Sequence, residues 1–259
     1  VNANSVEVDA VAGATKTSEG IKNAVANALA GVQGEAKDEF ELKFEPQIIV
    51  VGAGMSGMVA ALNLARDGFR VVVREAEESY GGARLYNPSP HVTPIAVETT
   101  SRYIGIDVSP VFHEVIQCPA YYHDTRTMWP VYEVYGVERG DRPGSLDTLL
   151  YRECLDLGVE FEFSSPLRAE DVPRLAPGTI IACGLIPDAY RMVGVPYIMV
   201  YMWLSRGEIG FTDYAWLWFD ECITEYGYLS AVNNYYFDLL FSYEKRVGED
   251  ALEKYKDFM

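Results

Sequence analysis

The stretch QIIVVGAGMSGMVAALNLARDGFRVVVREAE, residues 47–77, decides the fold of this chain. Its first five residues are apolar or nearly so and predict a buried strand. A glycine-rich turn follows, then a helix of small residues over about 55–67, and after Gly68 the stretch RVVVREA predicts a second strand. A strand, a helix and a strand at this spacing form a βαβ unit, which predicts an α/β fold with a parallel sheet.

Three glycines of the turn, Gly52, Gly54 and Gly57, have the GxGxxG spacing directly between the strand and the helix. The first permits a tight turn, the second lets the backbone approach a pyrophosphate, and the third lets the helix pack closely on the strand. The N–H groups at the start of the helix, at Met55 and Ser56, favour a negatively charged group. The pattern indicates a dinucleotide site, and the alternative is a turn whose glycines serve packing alone.

Glu75 stands at the end of the second predicted strand. A carboxylate at that position accepts hydrogen bonds from the ribose hydroxyls of a dinucleotide, and its charge disfavours the 2′-phosphate of NADP. The segment therefore predicts NAD or FAD rather than NADP.

The sequence VVGAGMSGMVAALNLARDGFRVVVREAEESYGGAR resembles the FAD-dependent oxidoreductases of the two-dinucleotide-binding-domain type. In that family a Gly-Gly pair, often with an Arg, follows the ribose carboxylate, and Gly81, Gly82 and Arg84 match it. The resemblance implies that this loop lies along the phosphates and ribityl chain of FAD, where glycines allow close approach and Arg84 offsets diphosphate charge. TIIACGL, which contains Gly184, is similar to the returning strand of the family. FAD is therefore the expected cofactor.

The resemblance implies a Rossmann-type FAD-binding domain, with a parallel sheet and flanking helices, and a mixed, aromatic-rich substrate or cap region. We expect the FAD-binding domain over residues 47–188, with an inserted substrate region, and an aromatic-rich substrate or interface region over 189–259. The family's late Gly-Asp motif has no counterpart after residue 188, so we expect the chain to lack the C-terminal FAD element. Local patterning predicts a loop over 86–100, helices over 145–157 and 247–258, and strands over 159–163 and 178–185.

The motif DAVAGATKTS, residues 9–18, resembles the flavinylation site of FMN-binding domains. The resemblance implies that the Thr15 hydroxyl carries FMN through a phosphoester, although Ala12 replaces the usual Ser or Thr. The alternative is a Thr-Ser cap on a helix that a small-residue loop precedes. We expect a partial FMN-binding-domain-like segment over 1–34, with a helix over 18–31, and a linker over 35–46.

The composition argues against several classes of partner. The net charge is −17 with scattered Lys and Arg, which disfavours nucleic acid and anionic membrane surfaces. The longest apolar run, residues 195–204, is too short to span a bilayer.

The 4 cysteines lack a CxxC pair, so we expect reduced core residues and no metal site. The 18 Tyr, 11 Phe and 4 Trp, dense over 197–243, favour a core or subunit interface over an aromatic substrate cage.

Flavin performs redox chemistry itself, while the protein supplies geometry and a proton donor. Of the three histidines, His91 is the catalytic candidate, because the loop NPSPHVTP follows the Gly-Gly-Arg segment and can pass near the isoalloxazine. The alternative for His91 is a solvated or structural residue. The other two histidines are His113 and His123, and weaker candidates for substrate contact are Tyr121, Tyr122 and Arg126.

The sequence thus predicts an FAD-dependent oxidoreductase that moves hydride or electrons between flavin and an organic substrate. Reduction of a C=C bond is one reaction of this kind. FMN on Thr15 would relay electrons from a donor. The alternatives are an FAD-binding electron-transfer subunit and a non-catalytic interaction protein. We expect a cytoplasmic protein, or an extracytoplasmic one if Thr15 is flavinylated, acting as a homo-oligomer or as a subunit of a larger complex.

Overall fold

The computed structural model describes residues 47–123, 125–128, 130–184, 186–220, 225–243 and 247–259. Thr15 and the predicted helix over 18–31 lie outside these described residues. The strands of the described part are β1 (Gln47–Val51), β2 (Arg70–Arg74), β3 (Ser89–Pro94), β4 (Phe112–Glu114), β5 (Pro119–Tyr122), β6 (Thr125–Met128), β7 (Val134–Arg139), β8 (Glu160–Glu162), β9 (Ile180–Ile181), β10 (Tyr201–Glu208), β11 (Tyr214–Phe219), β12 (Glu225–Val232) and β13 (Tyr235–Ser242). Its α-helices are α1 (Met55–Arg66), α2 (Val97–Ile104), α3 (Leu146–Asp156), α4 (Pro187–Val193) and α5 (Glu249–Phe258), and 3₁₀ turns span Ser109–Val111 and Ala169–Arg174.

A four-stranded parallel sheet carries the predicted βαβ unit, in the strand order β8-β2-β1-β9. The central strand β1 pairs with β2 from Gln47 opposite Arg70 onwards. Helix α1 packs on β1, on β2 and on α3. The core between them is apolar, and the side chains of Val50, Met58 and Leu150 are 0% exposed. This sheet and its helices confirm the predicted α/β fold class.

A three-stranded antiparallel sheet, in the order β3-β7-β4, contains the segment for which the sequence predicts a loop. That prediction is wrong, because residues 89–94 form β3 and residues 97–104 form α2. Prolines are compatible with a strand at a sheet edge, and among the described strands β3 pairs only with β7. Side chains of another sheet satisfy its free edge: Ser230 donates to the carbonyl of Pro90 at 2.7 Å, and the Val92 amide donates to the Tyr228 hydroxyl at 2.7 Å.

A six-stranded sheet, in the order β10-β13-β12-β11-β5-β6, contains most of the aromatic residues near the end of the chain. Since side chains alternate along a strand, the sheet has two faces. One face, which we call the β3 face, carries the cross-strand row Arg206, Phe237 and Ser230 and lies against β3. The opposite face packs against α5 through Tyr255 and its aromatic neighbours Trp203, Trp218 and Phe258.

The polar contact under α5 joins Tyr255 to Asp238 of β13. The Tyr255 hydroxyl donates to the Asp238 carboxylate, and Tyr255 is 0% exposed and Asp238 1% exposed. Burial raises the pKa of Asp238 to about 6, against the opposing effects of the Tyr255 and Leu239 hydrogen bonds. Among the helices that the structure describes, none has the length and apolar character needed to cross a membrane.

Candidate functional site

The GxGxxG turn connects β1 to α1 in a conformation that requires glycine. Gly52 has a φ of 111°, and its amide donates to the carbonyl of Arg74 at 2.7 Å. A Cβ at Gly57 would collide with the carbonyl of Gly52, so α1 can lie this close to the turn only with glycine there. Above Gly54, by contrast, no described atom outside its own chain neighbours and the start of α1 lies within 4 Å of the position a Cβ would take.

The first residues of α1 face solvent without a side-chain cap. Gly54 is the N-cap and provides no side-chain hydrogen bond, the first turn contains no acidic residue, and Met55 and Ser56 are exposed. Unpaired N–H groups at such a helix start favour an anion. The open position above Gly54 and this helix start therefore fit a diphosphate.

Glu75 lies directly after β2 and its carboxylate links two stretches of backbone. One oxygen accepts from the amide of Ala53 at 2.6 Å, and the other accepts from the amide of Glu77 at 2.9 Å. The side chain is 7% exposed. Two N–H donors compensate the burial of this carboxylate and hold it beside the glycine turn, as a ribose-binding carboxylate requires.

The Gly81–Gly82 loop reaches the glycine turn. The Gly81 amide donates to the carbonyl of Ala53 at 2.9 Å, and both glycines have positive φ, 95° and 85°. The structure thus brings together the first turn, Glu75 and the second loop, which are the elements that the sequence predicts for one site. The Arg84 side chain is exposed and lies 3.8 Å from Glu78, on the surface of this loop.

The returning strand β9 closes the other side of the turn. Its neighbour Ala182 donates to the carbonyl of Val51 at 2.7 Å, and Gly184 follows as an exposed residue with a φ of 75°. Beside the ends of β1 and β2 lies a cavity of about 250 Å³. It is lined by Val51, Arg74, Ser165, Pro166, Leu167, Asp171, Arg174 and Leu175. The cavity is next to Glu75, whose carbonyl accepts from the Ser165 amide at 2.8 Å.

His91 lies on β3, between the cofactor loops and the six-stranded sheet. Its ring centroid is 5.7 Å from that of Phe237, and its Nε2 is 2.9 Å from the hydroxyl of Ser89. His91 is exposed as a whole residue, but the protein packed around its ring desolvates it, and this desolvation together with the charge of Arg139 lowers its pKa to about 4.

Arg206 is a residue that the sequence analysis missed. From β10 its guanidinium donates to the carbonyl of Arg84 at 2.9 Å and so ties the β3 face of the sheet to the loop after Gly81–Gly82. Arg206 is opposite Phe237 on the neighbouring strand, and the Phe237 ring in turn lies beside the His91 ring. The local sequence feature that could have pointed to Arg206 is an Arg among aromatic residues. That feature does not indicate which part of the protein the strand faces.

The structure does not bring the other candidates of the sequence to this place. His113 lies 3.9 Å from Asp213, and Tyr121 packs against Phe258 on the α5 side of the sheet. His123 lies 3.9 Å from Asp220 at the far end of β5. Within the described residues, no group of three or more His, Cys, Asp or Glu side chains could hold a metal ion.

Comparison with known proteins identifies two segments. Residues 50–104 match the NAD(P)-binding Rossmann-like domain, and residues 1–30 match the FMN-binding domain. The chain is 35% identical over 145 residues to the flavin-containing monooxygenase FMO GS-OX4 of Arabidopsis thaliana, covering 50% of this chain and 28% of that protein. FMO GS-OX2 of the same plant is 29% identical over 136 residues, with 50% and 28% covered. The matched part thus spans less than a third of these relatives.

Solved structures share the fold. The crystal structure of CtdE in complex with FAD matches with a TM-score of 0.54 at 13% identity, covering 78% of this chain and 61% of that one. Together these comparisons confirm the resemblance to flavoprotein oxidoreductases and, for the N-terminal segment, the resemblance to FMN-binding domains.

Proposed function

We propose that this chain binds FAD and acts as a flavin-dependent oxidoreductase on an organic substrate. The observation that carries the proposal is the backbone of Ala53, within the GxGxxG turn. Its N–H donates to Glu75 and its carbonyl accepts from Gly81, so one peptide segment fixes the ribose-type carboxylate and the second glycine loop together. Glycine-rich loops joined in this way suit a dinucleotide with a long linker between its two ends.

Each part of the site has a role in the proposal. The start of α1 and the open position above Gly54 would hold the diphosphate, Glu75 the ribose, and the cavity beside it the adenine. The Gly81–Gly82 loop would run along the ribityl chain. The flavin, when bound, supplies the redox chemistry, and the protein orients it against the substrate.

The substrate side would be the region between the cofactor loops and the β3 face of the six-stranded sheet. His91 on β3 and Arg206 on β10 both border it, and Arg206 holds the Arg84 segment against the sheet. The relatives that share the dinucleotide segment are named monooxygenases, which favours oxygenation of the substrate over reduction of a C=C bond. FMN on Thr15 would pass electrons to the FAD.

The proposal is tested by the identity and redox behaviour of the bound cofactor. The purified chain is dialysed against FAD, FMN and NAD separately, and bound ligand is released by denaturation and identified by chromatography. We expect FAD to be retained without covalent linkage. Its chemical reduction and subsequent reoxidation by air, with faster reoxidation when a substrate is present, would support the oxidoreductase. Retained FAD that no substrate affects would favour the electron-transfer subunit, and a chain that retains none of the three contradicts the proposal.

A further inference from the structure

A chain of side-chain hydrogen bonds leads from the second glycine loop to His91. The Asn87 amide group donates to the carbonyl of Gly81 at 2.8 Å, and Ser89 donates to the Asn87 carbonyl oxygen at 2.8 Å. The Ser89 oxygen also lies 2.9 Å from Nε2 of His91. Ser89 is only 2% exposed, so water does not compete for its hydroxyl.

The partners fix the direction of every bond in this chain. The Asn87 nitrogen faces the backbone carbonyl of Gly81, and a second carbonyl, that of Ala83, lies 3.4 Å away, so its oxygen must face Ser89. A hydroxyl has one proton, and Ser89 donates it to Asn87. Ser89 can then only accept from His91, and Nε2 of His91 therefore carries the proton.

The remaining nitrogen of His91 is an acceptor without a partner. A neutral imidazole has one N–H, so with Nε2 protonated Nδ1 holds a lone pair. Within the described part of the chain nothing hydrogen-bonds to Nδ1, and His91 as a residue is exposed. The nearby guanidinium of Arg139 is fixed by two bonds to Asp147, 2.8 and 3.1 Å long, and its charge opposes protonation of the ring.

We propose that Nδ1 of His91 is the hydrogen-bond acceptor that selects substrates carrying an O–H or N–H group at the site described above. Ser89 and Asn87 are positioning residues, because they act through the tautomer of His91. The proposal rests on the proposed function, which puts the substrate beside β3. The substrate class is a neutral molecule with an O–H or N–H group, since the lone pair needs a donor and the charge of Arg139 disfavours a cationic one. An alkylated analogue would leave the lone pair unpaired.

The first experiment measures the tautomer and needs no cofactor. Nitrogen-15 NMR of the histidine-labelled chain, with His91→Gln to assign the signal, should show His91 as the Nε2–H form at neutral pH. Ser89→Ala should allow the Nδ1–H form to become populated. Ser205→Ala is the matched control, because Ser205 pairs with Tyr236 on the opposite face of the sheet. A wild-type ring that is mainly Nδ1–H, or a tautomer unaffected by Ser89→Ala, overturns the proposal.

The second experiment measures selection with matched probes. Phenol and anisole, and indole and 1-methylindole, are titrated into the FAD-loaded chain while the flavin absorbance is followed. The wild type should bind the protic member of a pair about tenfold more tightly, which corresponds to one good hydrogen bond. His91→Phe should remove the preference, and Ser89→Ala should reduce it. Equal binding in both pairs, or no binding of any probe, overturns this inference while FAD binding still supports the function. A chain that binds no FAD contradicts both.

Discussion

The amide of Gly81 donates a hydrogen bond to the carbonyl of Ala53, 2.9 Å away, and so joins two loops that the sequence separates by a helix and a strand. The Ala53 amide donates in turn to Glu75 at 2.6 Å. A change at either loop should therefore affect cofactor binding and local stability together. The proposed cofactor site is a set of backbone contacts, and glycine substitutions test it most specifically.

Gly81→Ala should impair both folding and FAD binding. Gly81 has a φ of 95°, and a Cβ there would lie 2.7 Å from the backbone of Gly140. The left-handed conformation and the overpacking should together lower the free energy of unfolding by about 2–4 kcal/mol. Urea unfolding without FAD measures the first effect, and FAD titration the second.

Gly178→Ala is the matched control for this substitution. Gly178 has a φ of 88°, but among the described residues no atom beyond its own chain neighbours lies within 4 Å of its Cβ position, so only the conformational cost of about 1–2 kcal/mol should remain. FAD affinity should be unchanged in the control. Equal losses of stability in the two variants would mean that the contact with Gly140 is not tight.

Asp238 should make stability depend on pH. Its pKa is raised from the ordinary 3.8 to about 6, so the folded state holds the proton more tightly than the unfolded state. The contribution of Asp238 to the free energy of unfolding is fully present below pH 4 and is lost as the pH rises through 6. Asp238→Asn keeps an acceptor for Tyr255 without the charge, and should gain up to about 3 kcal/mol over the wild type between pH 4 and pH 7.5.

The Asp238 prediction is measured by urea unfolding at several pH values, as the difference between variant and wild type. Asp257→Asn, at an exposed position of α5, is the control for the loss of one negative charge. A difference between Asp238→Asn and wild type that stays constant from pH 4 to pH 7.5 would show that the carboxyl is not perturbed.

His91 should remain neutral down to unusually low pH. Desolvation and the charge of Arg139 lower its pKa to about 4, so the folded state resists protonation. The folded chain should lose stability from this group as the pH falls from 6.5 towards 4. An NMR titration of the His91 ring should give a midpoint near pH 4. A midpoint close to the ordinary 6.5 would mean that the ring is fully hydrated.

Thr15 should carry FMN when the chain is made together with a flavin transferase. The intact mass should then exceed that of the polypeptide by FMN less one water, and the increment should survive denaturation. Thr15→Ala should abolish it, whereas Thr17→Ala should leave it unchanged. If the Thr15→Ala chain still carried the mass increment, FMN would be attached to another hydroxyl and the assignment to Thr15 would be wrong.

Local sequence pattern accounts for the βαβ unit. Within one short stretch the hydrophobic pattern changes from that of a strand to that of a helix and back, which predicts β1, α1 and β2. At Gly52 and Gly57 the surrounding backbone leaves little room for any residue other than glycine. The prolines around His91 led to the predicted loop, because proline is rare inside sheets, but β3 is an edge strand. Once β3 is known, Ser89 and His91 share a face by alternation.

Contacts between distant segments could not be predicted in this way. The bond from Arg206 to the Arg84 carbonyl joins residues 122 positions apart, and no local pattern encodes which face of β10 meets the cofactor loop. The same holds for Gly227, where a Cβ would collide with the Tyr255 ring of α5. Such residues become visible only when the packing of the sheet is known.

The affinity for FAD of Glu75→Gln, measured against Glu160→Gln, tests the central claim most directly. Glu160 lies on the neighbouring parallel strand β8 and pairs with Arg70 at the surface, so its variant removes the same charge without touching the site. A Gln at position 75 weakens charge-assisted bonds worth about 1.5–3 kcal/mol, so the Kd should rise roughly 10- to 100-fold, while Glu160→Gln should match the wild type. Circular dichroism checks that both variants are folded. Equal Kd values for the two variants, or a wild-type chain without measurable affinity for FAD, would contradict the account.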